Sequence, residues 1–329
     1  MTNRAGSTVF TARERLFHDL NAKLTKLDAS LGSDIACPIC FRRFGLDSLK
    51  VEKMSEDHVP PKAVSRLIGE ECLHTLVCTR CNNTAGSRLQ NDLKQFIRAQ
   101  LHAYGKYSDP LPGTMTIEGG LPMQCNITWT PGQVLIKGVR KANNPSTIKQ
   151  HLSAFEAYSH GQASNLKFDM TINYGCKLAK ARSAYLHTAY LAAFILTECS
   201  YPFTKAGAQL RILPATGETH LLGPCLIEPQ VVGVGGKPWI AAITQPAELR
   251  CIWVKVAGNI VILPDAGDDE LLCYKEWQRV CQDTPFGLKP QGVAFRANFL
   301  RKEDAVEAAK CLPRVFANLP ATVNNATPK

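Results

Sequence analysis

Apolar positions along the chain repeat with two different periods, and the switches between them mark out its elements. Phe17, Leu20, Leu24, Leu27 and Leu31 recur at intervals of three and four residues, the spacing that lines one face of an α-helix. Thr11 and Glu14 precede them with the offset of a capping box, and Gly32-Ser33-Asp34 predicts the stop. About two heptads is short for a self-sustaining coiled coil, so the stripe is expected to dock on the chain's own body rather than on a second copy. Leu89, Leu93, Phe96, Ile97, Leu101 and Tyr104 give a second helical stripe, starting within residues 82–87 and running to Gly105. The Gly- and Pro-containing stretch from Gly105 to Gly113 then predicts a linker.

Beyond it the pattern alternates. Gln124–Trp129 and Val134–Val139 flank Pro131-Gly132 as a hairpin, followed by a polar helix near Pro145–Tyr158 and a strand at Leu166–Ile172. Residues Lys177 to Cys199 read as a long apolar helix, whose uncharged run from Ser183 to Thr197 includes His187 and two threonines. The uncharged run is too short for the roughly 20 residues that cross a bilayer, so a buried core helix is predicted. Strands follow at Trp239–Ile243, Leu249–Val256 and Asn259–Leu263, the last two joined by Ala257-Gly258. An amphipathic helix is predicted at Asp268–Val280 and a frayed end at 314–329. The chain therefore reads as α+β, in four pieces: an N-terminal amphipathic helix (1–35), a small module (36–106), a larger α+β region of unrecognised fold (115–313) and a flexible tail (314–329).

Composition narrows the chemistry. With 45% apolar and 20% charged residues, the chain is not of the disordered class. Lys and Arg number 38 against 28 Asp and Glu, a formal charge of +10 that suits a polyanionic partner, nucleic acid or an anionic membrane surface. The N-terminus lacks the apolar core of a secretory signal, and neither export nor a membrane partner is expected. In a reducing cytoplasm, the 13 cysteines point to metal rather than to disulfides.

Four of them are paired. Cys37-x-x-Cys40 and Cys78-x-x-Cys81 are two knuckles, each presenting two sulfurs on one side of a tight turn, and together they predict a closed four-sulfur zinc site. The other nine, from Cys72 to Cys311, show no such pairing and read as small buried hydrophobes. Between the knuckles lies Asp57-His58-Val59-Pro60-Pro61-Lys62. Neighbours in an extended segment face opposite ways, and the prolines end the strand and can open a short helix from Lys62 to Ile68. Asn82 and Asn83 fall at the first turn of the following helix. A zinc ion clamping the knuckles would fold the hairpin bearing Asp57 and His58 against the helix start bearing Asn82, an arrangement that can share a second metal ion.

Cys37-x-x-Cys40, Asp57-His58 with a proline two residues on, and Cys78-x-x-Cys81-Asn82 together resemble the HNH nuclease motif. This is the ββα-metal hairpin and helix, in its variant stapled by a four-cysteine zinc site, and its Cys-Asn ending is similar to junction-resolving enzymes of the endonuclease VII type. The resemblance covers Cys37 to Leu93. It implies a metal-dependent endonuclease hydrolysing phosphodiester bonds in DNA, with RNA as a further possibility, and by analogy a mobile element or anti-phage role. His58 would be the general base, and Asp57 and Asn82 would hold one Mg2+ or Mn2+. The family's middle asparagine falls here at Leu73 and His74, so His74, or Asn83, is expected to take over orienting the base. Arg42, Arg43, Lys62, Arg80 and Arg88 are expected to contact phosphates, with Lys94 and Arg98 beside them. The alternative is a non-catalytic zinc module that binds nucleic acid or a protein. The region 115–313 could select the target, hold a homodimer or receive a regulatory protein. Gly233–Lys237 lacks the spacing of a phosphate-binding loop.

Overall fold

The computed structural model describes residues 4–83, 87–130, 133–211, 226–227, 236–249, 251–267, 272–284, 287–290 and 296–299. These form helices and small, mostly antiparallel sheets, an α+β fold. They divide into two compact units: one joins residues 1–94 to 177–329, and the other is Gln95–Cys176. The division differs from the four pieces read along the sequence, because long-range packing, not chain order, joins the module to the C-terminal region. The tail 314–329 lies outside the described residues.

In the first unit, α1 (Arg4–Leu27) buries Phe17, Leu20 and Leu24, and Leu31 is buried in the following 3-10 turn Ala29–Leu31. The stripe packs on β1 (Ile35–Ala36) and β4 (Leu73–Cys78), as the docking reading expects. The capping box does not hold. The helix begins seven residues before Thr11, so Thr11 lies inside it. β2 (Arg43–Phe44) pairs with β1, and β3 (Met54–Val59) with β4. The Val59–Pro60 peptide is cis, and α2 (Lys62–Ile68) follows, closed by Gly69 in the left-handed region at φ 68°, where a side chain would be strained. The helix α3 (Ser87–Ala103) carries the chain across the division at residue 94, α4 (Pro145–Ser159) belongs to the second unit, and α5 (Leu178–Leu196), α6 (Lys205–Leu210) and α7 (Leu272–Val280) belong to the first.

A seven-stranded sheet runs in the order β13-β14-β9-β12-β11-β10-β15. Its strands are β9 (Leu226–Ile227), β10 (Trp239–Gln245), β11 (Cys251–Val256), β12 (Asn259–Pro264), β13 (Cys281–Thr284), β14 (Gly287–Pro290) and β15 (Arg296–Phe299). All neighbours are antiparallel except β9 and β14. The helix α5 packs on β10, β11 and β12 and also on β3 and β4. Being covered on two sides, it is apolar all round, and almost every residue from Ala181 to Phe194 is buried.

Two polar ties fix the four-cysteine module to this body. Tyr190 of α5 donates to the Pro38 carbonyl inside the first knuckle at 2.7 Å. Glu70, just past α2, accepts from the Ala257 and Gly258 amides of the β11–β12 turn and from Lys255 Nζ, each at 2.9 Å. Both turn residues have positive φ, as a two-residue hairpin of this type requires.

The second unit is a four-stranded antiparallel sheet, β7-β6-β5-β8, from β5 (Leu111–Ile117), β6 (Met123–Thr130), β7 (Gln133–Gly138) and β8 (Phe168–Ile172). Ile148 and Phe155 of α4 pack on its core of Met115, Met123, Cys125 and Ile127. The linker read at Gly105 to Gly113 is shorter than expected, because β5 already begins at Leu111.

Candidate functional site

The two knuckles bring their sulfurs together. Cys37, Cys40, Cys78 and Cys81 offer ligand atoms that all lie within 4.8 Å of one another, with Cys40 and Cys78 Sγ 3.7 Å apart. Four sulfurs at the 2.3 Å typical of Zn–S bonds would stand about 3.8 Å apart in a tetrahedron, so the set fits a zinc-type ion. The Cys78 amide points at Cys37 Sγ from 3.5 Å. Burial, and then the neighbouring thiols, push Cys37 well up, whereas donation from Cys37, Cys78 and Cys81 pulls Cys40 far down. Cys78 falls to about 7, chiefly through Cys37. Of the remaining cysteines, Cys125, Cys199, Cys251 and Cys273 are buried as expected, Cys72, Cys176 and Cys281 are partly exposed, and Cys225 and Cys311 lie outside the described residues.

The pleat of the β3–β4 hairpin sorts the remaining candidates. His58 pairs with His74 across the hairpin and Asp57 with Thr75, so the two sets face opposite sides. On the first face, the His58 and His74 rings lie 4.7 Å apart. Glu56, two residues before His58 and therefore on the same face, holds His74 Nδ1 at 2.5 Å and stands 3.9 Å from His58 Nε2. Burial first, then the charge of Lys62, lowers the pKa of His58, which favours the neutral base at pH 7. For Glu56, burial acts upward, but the His74 hydrogen bond and the charges of His58, His74 and Lys62 outweigh it.

On the other face Asp57 is only 7% exposed. Its Oδ1 accepts the His58 amide at 2.9 Å, and burial raises its carboxyl to about 6 against that hydrogen bond. Asn82 donates through Nδ2 to Ser55 Oγ at 2.9 Å, and Ser55, two residues from Asp57, lies on Asp57's side of the strand. The tie fixes the direction of the Asn82 amide along that face. An oxygen donor set of carboxylate and amide is of the type that hard divalent ions accept.

Asp57 and His58 also line a small cavity of about 20 Å³ with Val59, Pro61, Gln90 and Leu93, room for a single water or ion. Its far wall is α5, through Ala184, His187, Thr188 and Leu191. His187 is 7% exposed, and its Nε2 is buried with no hydrogen-bond partner. Burial lowers its pKa to about 4. Sequence reading did not single out Glu56 or His187. Strand periodicity places Glu56 with His58, but the pairing with His74 needs the register. For His187 the signal was a lone histidine in an otherwise apolar helix.

The basic candidates differ in exposure and in partners. Arg42, Lys62 and Arg80 are exposed, whereas both Arg43 nitrogens turn back to Ser30 at 3.0 and 2.9 Å. Arg98, in the second unit, bonds Gln95 and stacks over Tyr107. The Arg88 side chain lies outside the described residues, and Lys94 is half-buried. Among the described residues no helix is long and apolar enough to cross a membrane. No family model, curated protein or solved structure matches this chain.

Proposed function

We propose that the chain is a metal-dependent endonuclease of the HNH type that hydrolyses phosphodiester bonds in DNA. The observation that carries the reading is the β3–β4 hairpin. It presents a depressed-pKa histidine on one face, a buried carboxylate on the other and Asn82 returning to the carboxylate's side. His58 accepts a proton from the attacking water, a role suited to an imidazole neutral at pH 7. Glu56 faces the imidazolium that results and stabilises it, and the Glu56–His74 hydrogen bond positions that carboxylate. Asp57 and Asn82 would hold Mg2+ or Mn2+, which when bound offsets charge on the phosphate and on the leaving oxygen. Lys62 and Arg42, both exposed, supply sequence-independent attraction to the backbone. The four cysteines keep the hairpin folded.

The test is plasmid nicking with Mg2+ or Mn2+, on wild type and His58→Ala, with zinc content and circular dichroism recorded for both. The expected result is a loss of at least a hundredfold in His58→Ala with metal content and fold retained, in line with typical general-base contributions. Equal activity in the two proteins, or no cleavage of any DNA or RNA by wild type, would leave the rival: a zinc module that binds without cutting.

A further inference from the structure

We infer that Glu56, His58 and His74 form a second metal centre, one that takes an imidazole-preferring divalent ion such as Zn2+. Their ligand atoms all lie within 4.8 Å of one another, and they come from two paired strands rather than from one flexible loop. His58 and His74 are direct cross-strand partners, and Glu56 shares their face. Two histidines and a carboxylate are a recurring donor set for first-row transition ions. Bonds of about 2.0–2.2 Å to such ligands put the donor atoms roughly 3.3 Å apart. The distances from Glu56 Oε1 are 2.5 Å to His74 Nδ1 and 3.9 Å to His58 Nε2. An ion would therefore spread the first pair and draw in the second by less than about 1 Å each, and close the His58–His74 pair, which lies within 4.8 Å, by no more than about 1.5 Å.

Access and selectivity follow from the surroundings. The His74 side chain is 47% exposed and that of Glu56 25%, so an ion can enter from solvent, and coordinating waters can complete its shell. As the ion enters, the proton that His74 Nδ1 shares with Glu56 vacates that nitrogen, passing to Nε2 if the ring is neutral and to solvent if the ring is charged. Lys62, whose charge acts on both Glu56 and His58, opposes any cation held by charge alone. That penalty disfavours Mg2+, which gains little from imidazole, more than an ion that bonds nitrogen strongly. The centre is separate from the four-cysteine cluster and from the Asp57–Asn82 face. Its consequence for catalysis rests on the nuclease reading, although the binding itself does not: an ion on His58 occupies a ring nitrogen needed by the base. Zn2+ at this centre switches the enzyme off while Mg2+ remains in place.

The experiment is metal stoichiometry of the full chain, with the four-cysteine cluster loaded, at micromolar free Zn2+. Wild type should bind two Zn2+ per chain. Glu56→Gln and His74→Ala should each keep the first and bind the second at least tenfold more weakly. His160→Ala, which removes an exposed histidine elsewhere, should keep both. A single equivalent in wild type, or a second equivalent unchanged in Glu56→Gln and His74→Ala, overturns the site. In parallel, Mg2+-dependent nicking by wild type should fall over the Zn2+ range that fills the second equivalent, and nicking indifferent to that filling overturns the switch. If no substrate is cut, the nuclease reading fails, while the stoichiometry still decides the metal centre.

Discussion

His187 and Asp57 show how much a single buried group can reveal about the cavity it lines. A histidine in a core helix ordinarily satisfies both ring nitrogens, yet Nε2 of His187 has no partner, and across the same cavity a carboxylate is raised to about 6. The two groups load the stability curve in opposite directions. The folded pKa of His187 is about 4 against an ordinary value near 6.5. The unfolded chain therefore binds the extra proton, and the stability His187 allows at neutral pH is lost as pH falls from about 6.5 toward 4. Asp57, raised when folded, does the reverse. Comparison of wild type with His187→Leu by urea titration isolates the histidine. The stability difference should shift by about 2 kcal/mol between pH 7 and pH 5 in favour of the variant, and a pH-independent difference would contradict the burial of an uncharged ring. Neither group's environment was legible in the sequence, because His187 reaches Asp57 only through the packing of residues more than a hundred positions apart.

Among the elements, those with strong periodicity were readable and those defined by their partners were not. α5 was expected as a buried helix and is one, and the hairpin strands around Pro131-Gly132 and Ala257-Gly258 fall within a residue or two of their expected bounds. The start of α1 was misplaced because Thr11 and Glu14 mimic a cap that the chain does not use. Thr11→Ala should accordingly change stability by less than about 0.5 kcal/mol, whereas loss of a true cap costs about 1 kcal/mol; chemical denaturation distinguishes the two. By contrast, Leu24, fully buried, should cost about 2–5 kcal/mol as Leu24→Ala. The β11–β12 turn was read correctly as a turn, but its anchor was not. Glu70 reaches it from nearly two hundred residues away with a side chain that has no exposed surface. Glu70→Ala removes the acceptor of two buried amides and the carboxylate beside Lys255, and a loss of about 3–5 kcal/mol is expected, seen as a lowered denaturation midpoint.

For the molecule as a whole, the first cysteine knuckle is tied to α5 within the first unit, since the Tyr190 hydroxyl ends on the knuckle's own backbone. Chelation should therefore be felt beyond the cysteines. Hydrogen exchange after removal of the metal should accelerate in 35–81 and also in 178–196, while Gln95–Cys176, which has a core of its own, keeps its protection. Loss of protection confined to 35–81 would mean that the tie carries no stability. The sequence made the four-cysteine cluster plain, because two Cys-x-x-Cys pairs need only local spacing. It hid the partition into units, because the first unit is assembled from both sides of the second.

That discontinuity has a consequence in time. During synthesis the histidine hairpin is finished long before α5, the wall of its cavity, leaves the ribosome; at ordinary rates of elongation the delay is on the order of ten seconds. A chain stalled or cleaved in that interval would carry its knuckles and both histidines with no roof over Asp57.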